Sequence, residues 1–257
     1  ASCKFPPSSV AYVALARAFI ECGHISRAET TLNDMFNFFS GSGGTSAAAS
    51  SSASPSASSS SPSTSHSSSS SEGRSFPGGL TLSLAFAVAL KHLPVESAAA
   101  LVSRTAQKGW ILSSRAVHVL CVSLAQQGAY QAMLRVFFET YEVGTSLDEQ
   151  LVTVVLRATL KSPYRRMAWK IYQRAMATMG PTAALYEYGL AALLASDSGP
   201  EGLGRAIRFF RKIPPNDLRY SAVRVLLQRF KELPALSEEH IELLEDVRAL
   251  LKQRLSE

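Results

Sequence analysis

The sequence predicts an all-α fold, an α-solenoid of about six helical-hairpin repeats with a period of 35 residues. Three observations predict it. Apolar residues recur at three- and four-residue spacing, the mark of one helix face, in Val10–Ile20, Leu82–Leu90, Val117–Leu124, Leu151–Leu160, Leu185–Leu194 and Leu218–Leu227. Each segment is followed, after a short break, by a second amphipathic stretch, and no run keeps a period of two, so no sheet is expected. Equivalent residues then return at a fixed interval. Ala98, Met133 and Ala168 lie 35 residues apart, as do the break residues Leu93, Gly128 and Pro163, and Gly109 and Gly144. A single hairpin cannot bury its own apolar face, so a fixed period of hairpins implies stacking against neighbours.

In chain order, residues 1–39 form the first hairpin, and its Ala28 lies 70 residues before Ala98. That gap is one period plus an insert of one period's length. The insert spans 40–78: serine fills 20 of the 36 positions 40–75, and Glu72 and Arg74 are their only charges. Such a tract buries too little apolar surface to offset ordering, so a disordered spacer is expected. Four hairpins follow over 79–216, starting near Gly79, Ser114, Glu149 and Ala184. The last of these is stretched in Asp197–Gly202, and Ala206 resumes the pattern. Residues 217–257 hold the final hairpin, whose acidic second helix Ser237–Leu255 reads as a polar cap. Ser113-Ser114, Thr145-Ser146, Pro181-Thr182 and Pro215-Asn216-Asp217 carry the residue types of helix N-caps.

Composition narrows the function. Outside positions 40–75, 221 residues carry 44 of the 46 charged side chains, which excludes a fully disordered protein or a collagen. Cys3, Cys22 and Cys121 are too few and too scattered for a disulfide framework or a metal site, so a reducing compartment is expected. The longest apolar run, Leu80–Leu90, is too short to span a membrane. A start at Ala1 is expected of a fragment or a processed form, which leaves a lost targeting peptide open. No phosphate-binding loop, HExxH, GxSxG or cluster of metal-spaced carboxylates occurs, so a non-enzymatic protein without a cofactor is expected.

The net charge of +6 is uneven. Between Gln150 and Tyr186 there is no acidic residue, against Arg157, Lys161, Arg165, Arg166, Lys170 and Arg174. Over 157–231, 14 Lys and Arg face four Asp and Glu, whereas 232–257 holds seven acidic and three basic side chains. A basic block of this kind fits a polyanion. A solvated basic face is the bland alternative, as is an acidic protein partner.

The first hairpin carries a family resemblance. Val10-Ala-Tyr12-Val-Ala-Leu15, Phe19-Ile-Glu-Cys-Gly23-His-Ile-Ser-Arg-Ala28 and Leu32-Asn-Asp-Met35 resemble the pentatricopeptide repeat. That family's pattern has an aliphatic-x-Tyr start, a glycine break, Ala five residues later and a closing Met. Later hairpins match in register with fewer signature residues: Gly128 with Met133, then Ala168. The period favours this family over the tetratricopeptide repeat, at about 34 residues; a tetratricopeptide-like protein-binding adaptor stays the alternative.

The resemblance implies an RNA-binding protein of the mitochondrion or another organelle, one base per hairpin. It implies base contact by a first-helix column of Val13, Ser83, His118, Thr153, Tyr188 and Ser221, and by a boundary column of Ser113, Asp148, Ala183 and Asn216. The candidates are the members that can hydrogen-bond: Ser83, His118, Thr153, Tyr188, Ser221, Ser113, Asp148 and Asn216. A third column at the end of each first helix implies phosphate contact by Lys91, Lys161 and Arg229, with Arg157 in the basic block beside them. Plain structural readings stand beside these: N-capping for Ser113, Asp148 and Asn216, and a bond to the preceding turn for Ser83 and Thr153. Trp110, Trp169, Tyr172 and Phe209-Phe210 read as core. Two functions fit these residues: sequence-selective RNA binding in processing, stability or translation, and a scaffold subunit of a ribonucleoprotein such as a mitochondrial ribosome.

Overall fold

The structure, a computed structural model, describes residues 8–41, 74–77, 79–196 and 200–231, with single positions at 241, 245, 248 and 249. Of the expected 40–78 spacer, 42–73 and 78 lie outside the described residues, as do 197–199 of the stretched unit and, apart from those four positions, the expected acidic cap helix. The ends of that spacer are corrected: 40 and 41 are helical, and Arg74–Ser75 form a strand because Phe76 beside them is buried. Eleven α-helices follow one another among the described residues. They are α1 (Ser9–Glu21), α2 (Ile25–Gly41), α3 (Gly79–Leu90), α4 (Val95–Gln107), α5 (Ser114–Gln126), α6 (Tyr130–Val143), α7 (Glu149–Lys161), α8 (Ala168–Met179), α9 (Ala183–Ser196), α10 (Pro200–Arg211) and α11 (Tyr220–Lys231). Strands β1 (Arg74–Ser75) and β2 (Trp110–Ile111) make one parallel two-residue pairing, too short to form a layer.

Alternate helices make a row. α1 packs on α3, α3 on α5, α5 on α7, α7 on α9 and α9 on α11, while α2, α4 and α6 contact one another in the same alternating order. The turns inside the hairpins show why the chain reverses there. At Gly128 a φ of +72° is open to glycine without strain, and it lets the Ala129 N–H reach the Leu124 carbonyl at 2.9 Å. Gly23, at +76°, does the same for His24 and Phe19 at 2.7 Å.

Helix starts follow local hydrogen bonding. Ser8, Ser113 and Asp148 each cap a helix through a side-chain oxygen, accepting from Ala11 at 3.2 Å, Ala116 at 3.2 Å and Leu151 at 2.7 Å. Thr182 accepts from the Leu185 N–H at 3.3 Å, as its sequence position predicts. Two expectations are corrected. Thr145-Ser146 does not start α7, because Gly144 ends α6 in a left-handed conformation and the Thr145 N–H is held by the Thr140 carbonyl. Thr145 instead donates its buried hydroxyl to the Leu112 carbonyl at 3.2 Å. Pro215-Asn216-Asp217 forms a separate 3-10 turn, and α11 starts at Tyr220, because the Asp217 N–H folds back onto the Pro214 carbonyl.

The core runs along the row. Ala28, Ala98, Met133, Ala168 and Ala206, the equivalent residues of the second helices, are all buried. Val13 to Ala192 contribute to one apolar cluster, and Leu190 to Leu226 to a second. Trp169 and Phe209 pack against both. Trp110, Tyr172 and Phe210 are buried, as their spacing predicts.

Candidate nucleic-acid interface

On α7, Val154, Arg157, Ala158 and Lys161 fall at i, i+3, i+4 and i+7 and so share one face. Opposite them α5 presents Val122, Ala125 and Gln126, and the start of α6 adds Tyr130. Together these eight residues line an open cleft of about 370 Å³. Its floor is apolar, and its rim carries the exposed Arg157 and Lys161. Arg157 donates through Nε to the Tyr188 hydroxyl on α9 at 3.1 Å, which joins two candidate positions across neighbouring helices.

The phosphate-contact column is accessible where it is described. Lys161 ends α7, and Lys91 follows the last residue of α3; both are exposed. A cation at a helix C-terminus also complements the helix dipole, so the position has a structural use as well. Arg229 lies on α11, with its side chain outside the described residues.

The base-contact column is mixed. His118, Thr153, Tyr188 and Ser221 are half-buried on α5, α7, α9 and α11. Val13 and Ser83 are buried. The Ser83 hydroxyl donates to Ser113 Oγ at 2.9 Å and accepts from the Ser113 N–H at 3.3 Å, so these two candidates are bonded to each other. Asp148 divides its carboxylate between the α7 cap and the Ser114 hydroxyl of the preceding hairpin. Asn216 is exposed in its 3-10 turn.

Cations on the second helices have other employment. Arg174 stacks over Phe138 at 4.7 Å and Tyr141 at 5.2 Å, and Lys170 lies 5.6 Å from the Phe138 ring. Arg104 bonds to Asn33 and Asn37 of α2 and covers Phe36. These contacts tie neighbouring second helices together through cation–π attraction. Cys121 is buried, and desolvation raises its thiol to about 12, so it stays protonated and unreactive at neutral pH.

Sequence reasoning missed Tyr130, Val122, Ala125, Val154 and Ala158. The α7 spacing could have found the face, but nothing in the sequence shows that Tyr130 closes it from another helix. Among the described residues no group of three or more His, Cys, Asp or Glu could hold a metal ion, and no helix is long and apolar enough to cross a membrane. No protein-family model matches this chain, and no curated protein matches it.

Proposed function

We propose that this chain is a pentatricopeptide-like α-solenoid that binds RNA in an organelle without catalysing a reaction. The observation that carries the reading is the α5–α7 cleft, apolar within and rimmed by Arg157 and Lys161, in a stretch with no carboxylate from Gln150 to Tyr186. An apolar floor accepts the face of a base, and adjacent cations accept its phosphate. Alternate-helix packing and first helices that start at Ser9, Gly79, Ser114, Glu149 and Ala183 support the repeat reading, with about six hairpins of period 35. In this arrangement Lys91, Arg157, Lys161 and Arg229 hold phosphates, and His118, Thr153, Tyr188 and Ser221 meet bases.

The experiment is affinity for single-stranded RNA as a function of salt. Each phosphate contact contributes about 0.7 to the logarithmic slope for single strands, so Arg157→Ala with Lys161→Ala lowers the slope by about 1.4. A flat salt response in the unaltered protein sinks the proposal.

One observation favours a scaffold role in a large ribonucleoprotein over sequence selection. Ser83 and Ser113 are bonded to each other, Asp148 is engaged as a cap and the Tyr188 hydroxyl accepts from Arg157, so four of the eight base-contact candidates already have partners within the chain. Binding through the backbone alone needs none of them. Selection from randomised RNA separates the two: an enriched sequence supports readout, whereas no enrichment with stable co-purification of ribosomal proteins supports the scaffold.

A further inference from the structure

The turn between α7 and α8 differs from its counterparts. Three residues link α1 to α2 and α5 to α6, and four link α3 to α4; here six do, Ser162–Met167. Where α4 and α6 make their first turn, at Val95 and Tyr130, the position 35 residues beyond Tyr130 is Arg165, and Arg165–Met167 form a 3-10 turn. α8 begins only at Ala168.

This turn is held in place from inside. Ser162 is buried; its hydroxyl donates to the Thr159 carbonyl at 2.8 Å and accepts from the Tyr164 N–H at 3.0 Å. The Tyr164 hydroxyl donates to Gln131 Oε1 at 3.4 Å, beside the Tyr130 that lines the cleft. What the turn displays is unusual for its position. Tyr164 is 38% exposed, and Lys161, Arg165 and Arg166 are exposed around it. Two arginines precede a helix whose N-terminal dipole favours anions. α4 has Glu96 in its first turn, but no carboxylate occurs between Gln150 and Tyr186 to offset Arg165 and Arg166. Neither arginine has an ion-pair partner among the described residues.

We propose that Tyr164, Arg165 and Arg166, together with Lys161, form a second contact surface for single-stranded RNA, continuous with the α5–α7 cleft. Lys161 belongs to the rim of both, so a strand leaving the cleft passes over the turn. Arg165 and Arg166 hold successive phosphates, and Tyr164 stacks an unpaired base. An exposed ring among cations fits a single strand, since a duplex keeps its base faces stacked inside. This inference rests on the RNA-binding reading and extends it to residues outside the repeat columns.

The test uses the full chain, a labelled randomised single-stranded RNA and a polyglutamate competitor, with thermal melts confirming that each surface variant stays folded. Arg165→Ala with Arg166→Ala is expected to lower the salt slope by about 1.4, two phosphates' worth. Tyr164→Ala is expected to weaken binding about tenfold at fixed salt and leave the slope unchanged, while Tyr164→Phe binds like the unaltered chain. If the unaltered chain binds RNA, the double arginine variant keeps its salt slope and Tyr164→Ala keeps its affinity, the turn surface is overturned and the cleft reading survives. If the unaltered chain fails to bind RNA, or polyglutamate displaces RNA at equal charge, both fall and an acidic protein surface is the partner.

Discussion

At the scale of single residues, the same side-chain types serve recognition and construction, and contacts decide between them. Serine at 83 and 113 satisfies the pattern of a base reader, yet the two hydroxyls sit 2.9 Å apart and Ser83 is buried. Removing the Ser83 hydroxyl takes a partner from the half-buried Ser113 hydroxyl and N–H, so Ser83→Ala is expected to cost about 1 kcal/mol in urea unfolding. The same substitution is expected to leave RNA affinity unchanged, and a drop in affinity without a drop in stability contradicts the structural role. Cys121 offers a second residue-scale prediction. Burial favours its neutral thiol, and the folded-state value of about 12 lies above the ordinary 9.0. The folded chain keeps this proton over a window in which the unfolded chain releases it. Its stabilising contribution is therefore complete below pH 9.0 and declines as pH rises toward about 12. Unfolding measured across that window should lose stability less steeply in Cys121→Ala than in the unaltered chain. Equal slopes for the two proteins refute the assignment.

At the scale of elements, helix positions were legible in the sequence and several boundaries were not. Periodic apolar residues placed every first helix to within a few residues, because burial of one face follows directly from spacing. Thr145-Ser146 misled because a cap is a hydrogen bond, and the Thr145 N–H is already committed to closing α6 on Thr140. Asp148, named first as a base reader, is the cap that sequence alone could not separate from that role. The cleft was half legible: Arg157 and Lys161 were visible as cations, but its apolar floor and Tyr130 depend on how α5, α6 and α7 meet. Gly189 gives the sharpest element-scale prediction. It lies within α9, and a Cβ there would stand 2.5 Å from Tyr172 Cε2 and 3.0 Å from Phe209 Cζ. Those rings belong to α8 and α10, so this one small residue lets both helices close on α9. Gly189→Ala gains helix propensity but must displace the Tyr172 ring. Overpacking is expected to win by about 1–3 kcal/mol. A thermal melt that shows stabilisation instead means that the rings move freely.

At the scale of the whole molecule, a row held by neighbour contacts is no stronger than its weakest joint, and the long insert falls at one such joint. α1 and α2 connect to α3 only after the serine-rich tract, so packing must supply what chain connectivity does not. Four rings meet there. Phe36 of α2 stacks on Trp110 with centroids 5.2 Å apart, Phe76 and Phe86 lie 5.2 Å apart, and Phe36 lies 5.9 Å from Phe86. The β1–β2 pairing holds Phe76 and Trp110 together, with the Phe76 N–H donating to the Ile111 carbonyl at 3.3 Å. Such a joint works through buried aromatic area and edge-to-face geometry and does not depend on the tract between. Trp110→Ala is accordingly expected to cost about 3–5 kcal/mol and to release the first hairpin before the rest in hydrogen exchange. Replacing residues 42–73 with a short Gly/Ser linker shortens the loop closed on folding, a change worth only about 0.6 kcal/mol per halving of length. The shortened chain is therefore expected to melt at the same temperature or slightly higher and to bind RNA unchanged. If it instead loses the first hairpin's protection while Trp110→Ala keeps it, the tract and not the aromatic joint holds the two ends of the row together.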